Sequence, residues 1–369
     1  MTVLGWVAAA SLAAWLWLAF VQGRFWRTDQ RLPARRPPAA WPSVAVIVPA
    51  RDEAAMLPQT LPSLLAQNYA GPVRVIVVDD ASSDGTGDLA RAAGAEVIGA
   101  DDPPPGWTGK LNALRCGIAA AGDVDYLLLT DADIAHEPGS LTALVEAAET
   151  NDVDLVSQMA RLRVHTGWER LIVPAFVYFF AMLYPFRWVN RPRARTAAAA
   201  GGCSLVRRAV LDRAGGLDAV HDAVIDDVAI ARLVKRSGGR IWLGLADHVD
   251  SVRPYPRLAD LWQMVARSAF SQLRYSALLL AGTVLGLALV FVAPVAGLFG
   301  GAASAALAGT AWVLMAATFV PMLRYYRQPV LLAFTLPFTA VLYLSMTIDS
   351  ARQHWQGRGA AWKGRTYSR

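Results

Sequence analysis

The sequence predicts an α/β domain with a mostly parallel sheet, joined to transmembrane α-helices. Three observations carry that expectation. Of the 369 residues, 55% are hydrophobic and only 17% are charged, and mean hydropathy is +0.33. A soluble domain usually carries about 25% charge. The apolar residues concentrate in Val3–Val21 and Ala277–Ile348. Between these blocks, short Val/Ile/Leu runs alternate with helical stretches, the pattern of parallel strands buried on both faces. Disorder and collagen-like repeats are excluded, and a wholly soluble enzyme fits poorly.

Taken in order, Val3–Val21 approaches the roughly 20 apolar residues that span a bilayer. No basic residue precedes it, while Arg24, Arg27, Arg31, Arg35 and Arg36 follow. Residues 1–23 therefore read as an anchor rather than a cleaved signal peptide, and the chain after them as cytoplasmic. Residues 24–42 are a basic, proline-rich linker. The α/β domain is expected over 43–258. Its strands are Val44–Val48, Val73–Val78, Tyr126–Leu129, Asp154–Ser157, Gly202–Val206 and Ile241–Leu245. Its helices are Ala54–Gln67, Gly87–Ala93, Ser140–Thr150 and one opening at Asp226-Asp227.

Glu169–Phe186 is aromatic and interrupted by Pro174 and Pro185. It reads as an interfacial helix lying in the membrane plane, with buried core or a further span as alternatives. Residues 259–275 read as a juxtamembrane amphipathic segment. A bundle of roughly three spans follows over 276–350, then a basic tail over 351–369. Three spans would put that tail outside, against the positive-inside expectation. A re-entrant Val330–Ile348 is the alternative.

The net charge of +6 has its surplus beside the membrane segments. That favours anionic lipid headgroups over nucleic acid as partner. Cys116 and Cys203 have neither metal-ligand spacing nor a disulfide framework, which fits a reducing compartment.

Four acidic clusters fall near element ends, where doubly wound sheets bind ligands. They are Pro49-Ala-Arg-Asp-Glu53, Asp79-Asp-Ala-Ser-Ser-Asp-Gly-Thr86, Asp131-Ala-Asp133 and Asp226-Asp227. Alternate residues leaving a strand share a direction. Asp131 and Asp133 are thus expected to face a hard divalent cation, Mg²⁺ or Mn²⁺, together with phosphate oxygens. A solvated turn is the plain alternative. Asp80 suits a ribose or base, or an ordinary cap. Lys110 lacks P-loop spacing; it reaches a phosphate or solvent. Asp226 and Asp227 open a helix, a favourable place for carboxylates. A desolvated carboxylate beside another acid also has the raised pKa of a general base.

The order of these motifs resembles the family-2 inverting glycosyltransferases of GT-A fold, over about Ser43–Tyr275. Gly109-Lys-Leu-Asn-Ala113 and Gly201-Gly-Cys-Ser-Leu205 match as well. With the C-terminal bundle and Pro105-Gly-Trp-Thr-Gly-Lys110, the chain is most similar to the hopanoid-associated membrane glycosyltransferases. The resemblance implies that Pro49, Arg51, Asp52, Glu53, Asp80, Lys110 and Asp131 hold a nucleotide sugar, a UDP-sugar first. Asp52, Glu53 and Asp80 would take its base and ribose. Asp131 and Asp133 would hold the cation, Asp133 more directly. Asp227 would be the general base, with Asp226 replacing the usual Glu. Gly201, Gly202, Arg267, Gln272 and Arg274 would lie toward the acceptor and the membrane surface. Ser271-Gln-Leu-Arg-Tyr275 keeps only Arg274 of the Gln/Arg-x-x-Arg-Trp motif of processive synthases, which implies a single transfer. The implied protein is a multi-pass inner-membrane enzyme with a cytoplasmic catalytic domain. It would glycosylate a lipid, a hopanoid or alternatively a polyprenyl phosphate or other lipid. A non-catalytic membrane scaffold that binds sugar nucleotides is the alternative from another class.

Overall fold

The computed structural model describes residues 2–358, 361–362 and 365–366; of the expected basic tail, Lys363 and Arg369 lie outside the described residues. The chain forms two compact units. A helical unit comprises residues 1–29, 164–187 and 255–360. An α/β unit comprises Gln30–Arg163 and Trp188–Pro254, with a short ribbon pairing Ala361–Trp362 to Arg365–Thr366.

Helix α1 (Val3–Phe20) opens the helical unit, capped by the Thr2 hydroxyl, which accepts Gly5 N–H at 3.3 Å. The α/β unit then runs β1 (Val44–Ala50), α2 (Leu57–Leu65), β2 (Val73–Asp79), α3 (Thr86–Ala92), β3 (Glu96–Gly99), α4 (Gly109–Ala121), β4 (Tyr126–Leu129), β5 (Ile134–His136), α5 (Ser140–Asn151) and β6 (Leu155–Arg161). After α6 (Gly167–Leu183) and α7 (Phe186–Val189), it resumes with β7 (Ser204–Arg207), α8 (Arg208–Arg213), α9 (Asp226–Arg236) and β8 (Ile241–Ser251). The sheet order is β3-β2-β1-β4-β7-β6-β8-β5. β7 runs antiparallel between β4 and β6, and β5 runs antiparallel on the β8 edge; the other strands are parallel. The mostly parallel expectation holds.

β1 is buried along its whole length, as its unbroken Val-Ala-Val-Ile-Val run requires. α2 starts later than Ala54. The backbone N–H groups of Asp52, Glu53 and Ala54 are taken by Ser82, Thr86 and Asp84 side chains instead of a helix. α4 lies hard on the sheet: a Cβ at Gly117 would come within 2.5 Å of Ile47 and 2.8 Å of Val78. The linker is not wholly free of the domain. Gln30 O accepts Leu245 N–H and Arg31 O accepts Trp242 Nε1–H, each at 2.9 Å, so the α/β unit begins at Gln30 rather than Ser43.

The helical unit continues with α10 (Leu258–Gln272) and α11 (Ala277–Leu287). One π turn (Ala288–Val292) leads into α12 (Ala293–Gly297), followed by α13 (Ala302–Tyr325), a 3₁₀ segment (Val330–Thr335) and α14 (Leu336–Trp355). Pro294 cannot donate to the Val290 carbonyl four residues back. Trp15 Nε1–H donates to that carbonyl instead, at 2.6 Å. Among the described residues, five helical stretches, Val3–Phe20, Gly167–Val189, Ala277–Gly297, Ala302–Tyr325 and Val330–Trp355, are long and apolar enough to cross a membrane. Large apolar side chains such as Trp6, Leu278 and Phe299 point outward from this unit, an outer surface suited to lipid.

Candidate active site

The candidate site forms where the parallel strands end, wholly within the α/β unit. β1 delivers Arg51, Asp52 and Glu53, β2 delivers Asp80, and β4 delivers Thr130 and the Asp131-Ala-Asp133 turn. β7 is antiparallel, so its first residue, Ser204, pairs with Leu129 at the same edge and brings Gly201 there. The N-termini of α4 and α9 add Lys110 and Asp226-Asp227. One cleft is lined by Pro49, Lys110, Asp131, Gly201, Asp226 and Asp227, among others.

Lys110 is the hub. Its ammonium lies 2.8 Å from Asp131 and 3.0 Å from Asp226. Burial alone would lower its pKa, but Asp131 and then Asp226 outweigh that and raise it, so the lysine stays charged. Burial raises the Asp131 pKa; Lys110 opposes this, while Asp133 and Asp226 reinforce it.

Asp227 is held differently. One carboxylate oxygen accepts Gly201 N–H and the other accepts Val228 N–H, both at 2.7 Å. Burial, then the neighbouring Asp226 charge, pushes its pKa up to about 7, against the pull of Lys110 and the two N–H donors. A Cβ at Gly201 would stand 3.3 Å from Lys110 Nζ and 3.4 Å from Asp227. The glycine therefore lets backbone approach both groups. Gly201 thus belongs with the carboxylates. Gly202 sits behind it, its built Cβ 3.0 Å from Ile134, and its carbonyl accepts the Thr130 hydroxyl at 2.8 Å.

Asp131 and Asp133 do not leave a strand together. β4 ends at Leu129, and both acids occupy the turn into β5. The alternation expected of them is a strand property, and the turn cancels it. Asp131 faces Lys110; Asp133 faces Arg253, 2.6 Å away. Asp131 is also the more open of the two, 35% exposed against 13%. Arg253 in addition takes both oxygens of Glu53, at 2.6 and 2.7 Å. Glu53 is thereby committed to an arginine. Asp80 is fully buried and receives Arg51 through both its carbonyl and its carboxylate. Asp52, at a φ of 51°, accepts Ser83 N–H and its hydroxyl.

Arg253 was not singled out from the sequence. Its available signal was Val252-Arg253-Pro254, an arginine just past a strand end on the acidic edge. Arg267, Gln272 and Arg274 belong to the helical unit, where Gln272 donates to the Tyr184 hydroxyl and both arginines are exposed.

These residues fit a hard divalent ion. Asp131 offers a partly open carboxylate beside two further negative charges. Among the described residues, no group of three or more His, Cys, Asp or Glu is placed to hold a metal ion by itself. An ion there would complete its shell with ligand phosphate and water, as Mg²⁺ does.

Comparison with known proteins bears on the family and the fold. Residues 45–215 match the family described as glycosyl transferase family 2. A 4,4'-diaponeurosporenoate glycosyltransferase of Staphylococcus haemolyticus is 38% identical over 109 residues, 28% of this chain and 28% of that protein. The probable glycosyltransferase YdaM of Bacillus subtilis is 28% identical over 209 residues, 54% of this chain and 48% of that one. The matches thus span half or less of these relatives' lengths. A mannosyltransferase from Pyrobaculum calidifontis, solved with GDP-Man and Mn²⁺, shares the fold with a TM-score of 0.59 at 20% identity, over 96% of this chain and 100% of that one.

Proposed function

We propose, with a family-2 match over residues 45–215 and a GT-A fold as premises, that this chain moves one sugar from a nucleotide-sugar donor to a lipid hydroxyl with inversion. The observation that carries the reading is Asp227. It is a buried carboxylate fixed by two N–H donors and set beside a lysine flanked by two more acids. Asp227 takes the acceptor's proton, the oxygen attacks the anomeric carbon, and the diphosphate leaves from the opposite face. A single displacement needs no enzyme nucleophile. Lys110 and Arg253 orient the donor's phosphates. Asp131 and Asp133 would hold a divalent cation, which would supply charge stabilisation for the leaving diphosphate.

A lipid acceptor is supported by the apolar helices and by the relative named for diaponeurosporenoate. A hopanoid is the acceptor class, and UDP-sugars are the donors to test first. The eroded Ser271–Tyr275 motif favours single transfer.

The pH profile tests the base. Asp227 holds its proton below about pH 7, so transfer should rise as pH climbs through about 7 and level off above it. Asp226→Asn removes a charge that raises the Asp227 pKa, so the limb should move to lower pH. A flat profile in the wild type, with chemistry rate-limiting, would contradict the assignment.

A further inference from the structure

We propose that Val330–Trp355 does not cross the bilayer. It enters and leaves at the end of the bundle where α1 ends and α11 begins, and presents Arg352 and Arg358 to anionic headgroups of that leaflet, at the same end as Arg267 and Arg274. The inference rests on the reading of this unit as membrane-embedded.

Chain connectivity orients the bundle. α1 leads onward to the α/β unit at Gln30, and α10 follows that unit at Leu258. The Phe20 end of α1 and the Ala277 end of α11 are therefore the near ends, and Val3 is at the far end. A Cβ built at Gly297 would lie 3.2 Å from Ala8 Cβ, and one at Gly300 2.9 Å from Leu4 Cβ. The Ala277–Gly297 stretch, 21 residues, thus runs from near to far. At about 1.5 Å per residue it is long enough to span a core of about 30 Å.

α13 starts at the far end and returns. The Thr318 hydroxyl, late in α13, bonds the Tyr178 hydroxyl at 2.8 Å. The Tyr178 ring packs 5.1 Å from Phe25, just past the near end of α1. α13 therefore ends near. The next segment climbs only partway. Phe334 meets Trp312, ring centroids 6.3 Å apart. At about 1.5 Å per residue, Trp312 stands roughly 20 Å along α13 from Tyr325, about two-thirds of the way across a core of about 30 Å.

The end of α14 is back at the near face. Trp262 Nε1–H on α10 donates to Asp349 at 2.9 Å, and Phe270 N–H meets the Ser350 hydroxyl at 3.1 Å. His354 stacks on Tyr275 at 4.4 Å, and Phe270, Leu280 and Ala351 share one apolar cluster. A segment that begins and ends near has not crossed. Arg324, Arg327, Arg352 and Arg358 then share a side with Arg24–Arg36, as the positive-inside rule requires. The exposed guanidinium groups of Arg267, Arg274, Arg352 and Arg358 face the headgroups there, and the parity conflict of three full C-terminal spans disappears.

Single cysteines test this in a Cys116→Ser, Cys203→Ala background, in sealed vesicles, with a membrane-impermeant maleimide. Asp88→Cys marks the α/β unit, Phe299→Cys the far turn, and Gln356→Cys the end of α14; Arg358→Cys serves if Gln356→Cys fails to fold. The expected result is labelling of Gln356→Cys with the same sidedness as Asp88→Cys and opposite to Phe299→Cys. Sidedness matching Phe299→Cys would overturn the proposal. Identical labelling of all three, with release of the chain by alkaline carbonate, would instead overturn the membrane reading and the proposal with it.

Discussion

Asp227→Asn should leave nucleotide-sugar affinity nearly unchanged and lower turnover by about 10²–10⁴-fold, the usual worth of a positioned acid–base group. The substitution keeps the shape, and its amide oxygen can still accept one of the two N–H bonds from Gly201 and Val228. What it removes is the proton acceptor. Calorimetry with the donor and single-turnover transfer separate the two effects. Near-normal transfer would move the base elsewhere. Lost donor affinity would instead place Asp227 in the donor site. Asp226→Asn should cost less, because Asp226 acts on its neighbour through charge.

Lys110→Met should have the second large effect. Lys110 is mostly buried and neutralises both Asp131 and Asp226. Breaking one partner out of a buried ion network costs on the order of 3–5 kcal/mol, so the melting temperature should fall by several degrees. The donor's diphosphate would also lose a charge-assisted bond worth about 1.5–3 kcal/mol, an affinity loss of roughly 10–100-fold. Thermal melting and nucleoside diphosphate titration check both. Unchanged affinity in a folded variant would mean that Lys110 serves only the resting carboxylates.

Much of the fold was legible because it rests on burial. β1 and β4 are unbroken apolar runs, as strands covered on both faces must be, and β2 is broken only by Arg74 near its exposed start. α1 and α13 lie within the two apolar blocks of the sequence, because long helices with almost no charge leave a plain hydropathy signal. β3 and β5 were missed: each is short, and each lies on a sheet edge, where one side goes unpaired. β8 was predicted only to Leu245 because Asp247, His248 and Asp250 break its apolar run while its backbone pairing continues onto β5. α4 carried little periodicity, and its closeness to β1 and β2 depends on Gly117, which a pattern of apolar residues does not register.

The candidate site divides the same way. Its acids were legible from their places at element ends. Their partners were not. That Asp131 meets Lys110 while Asp133 meets Arg253 follows from a turn that begins two residues earlier than strand alternation assumes. Arg253 lies two hundred residues along the chain from Glu53, and only the β8–β5 edge brings it there. Gly201 was placed with the acceptor side, yet its backbone N–H holds Asp227.

The most direct test of the account is transfer itself. Membranes bearing the chain are incubated with labelled nucleotide sugars in the presence of divalent cation, and the lipid is extracted for chromatography and anomeric assignment. The account predicts a discrete organic-soluble product that carries one sugar of inverted anomeric configuration and is abolished or nearly so by Asp227→Asn. A long water-soluble polymer, a retained configuration, or release of free sugar alone would contradict it.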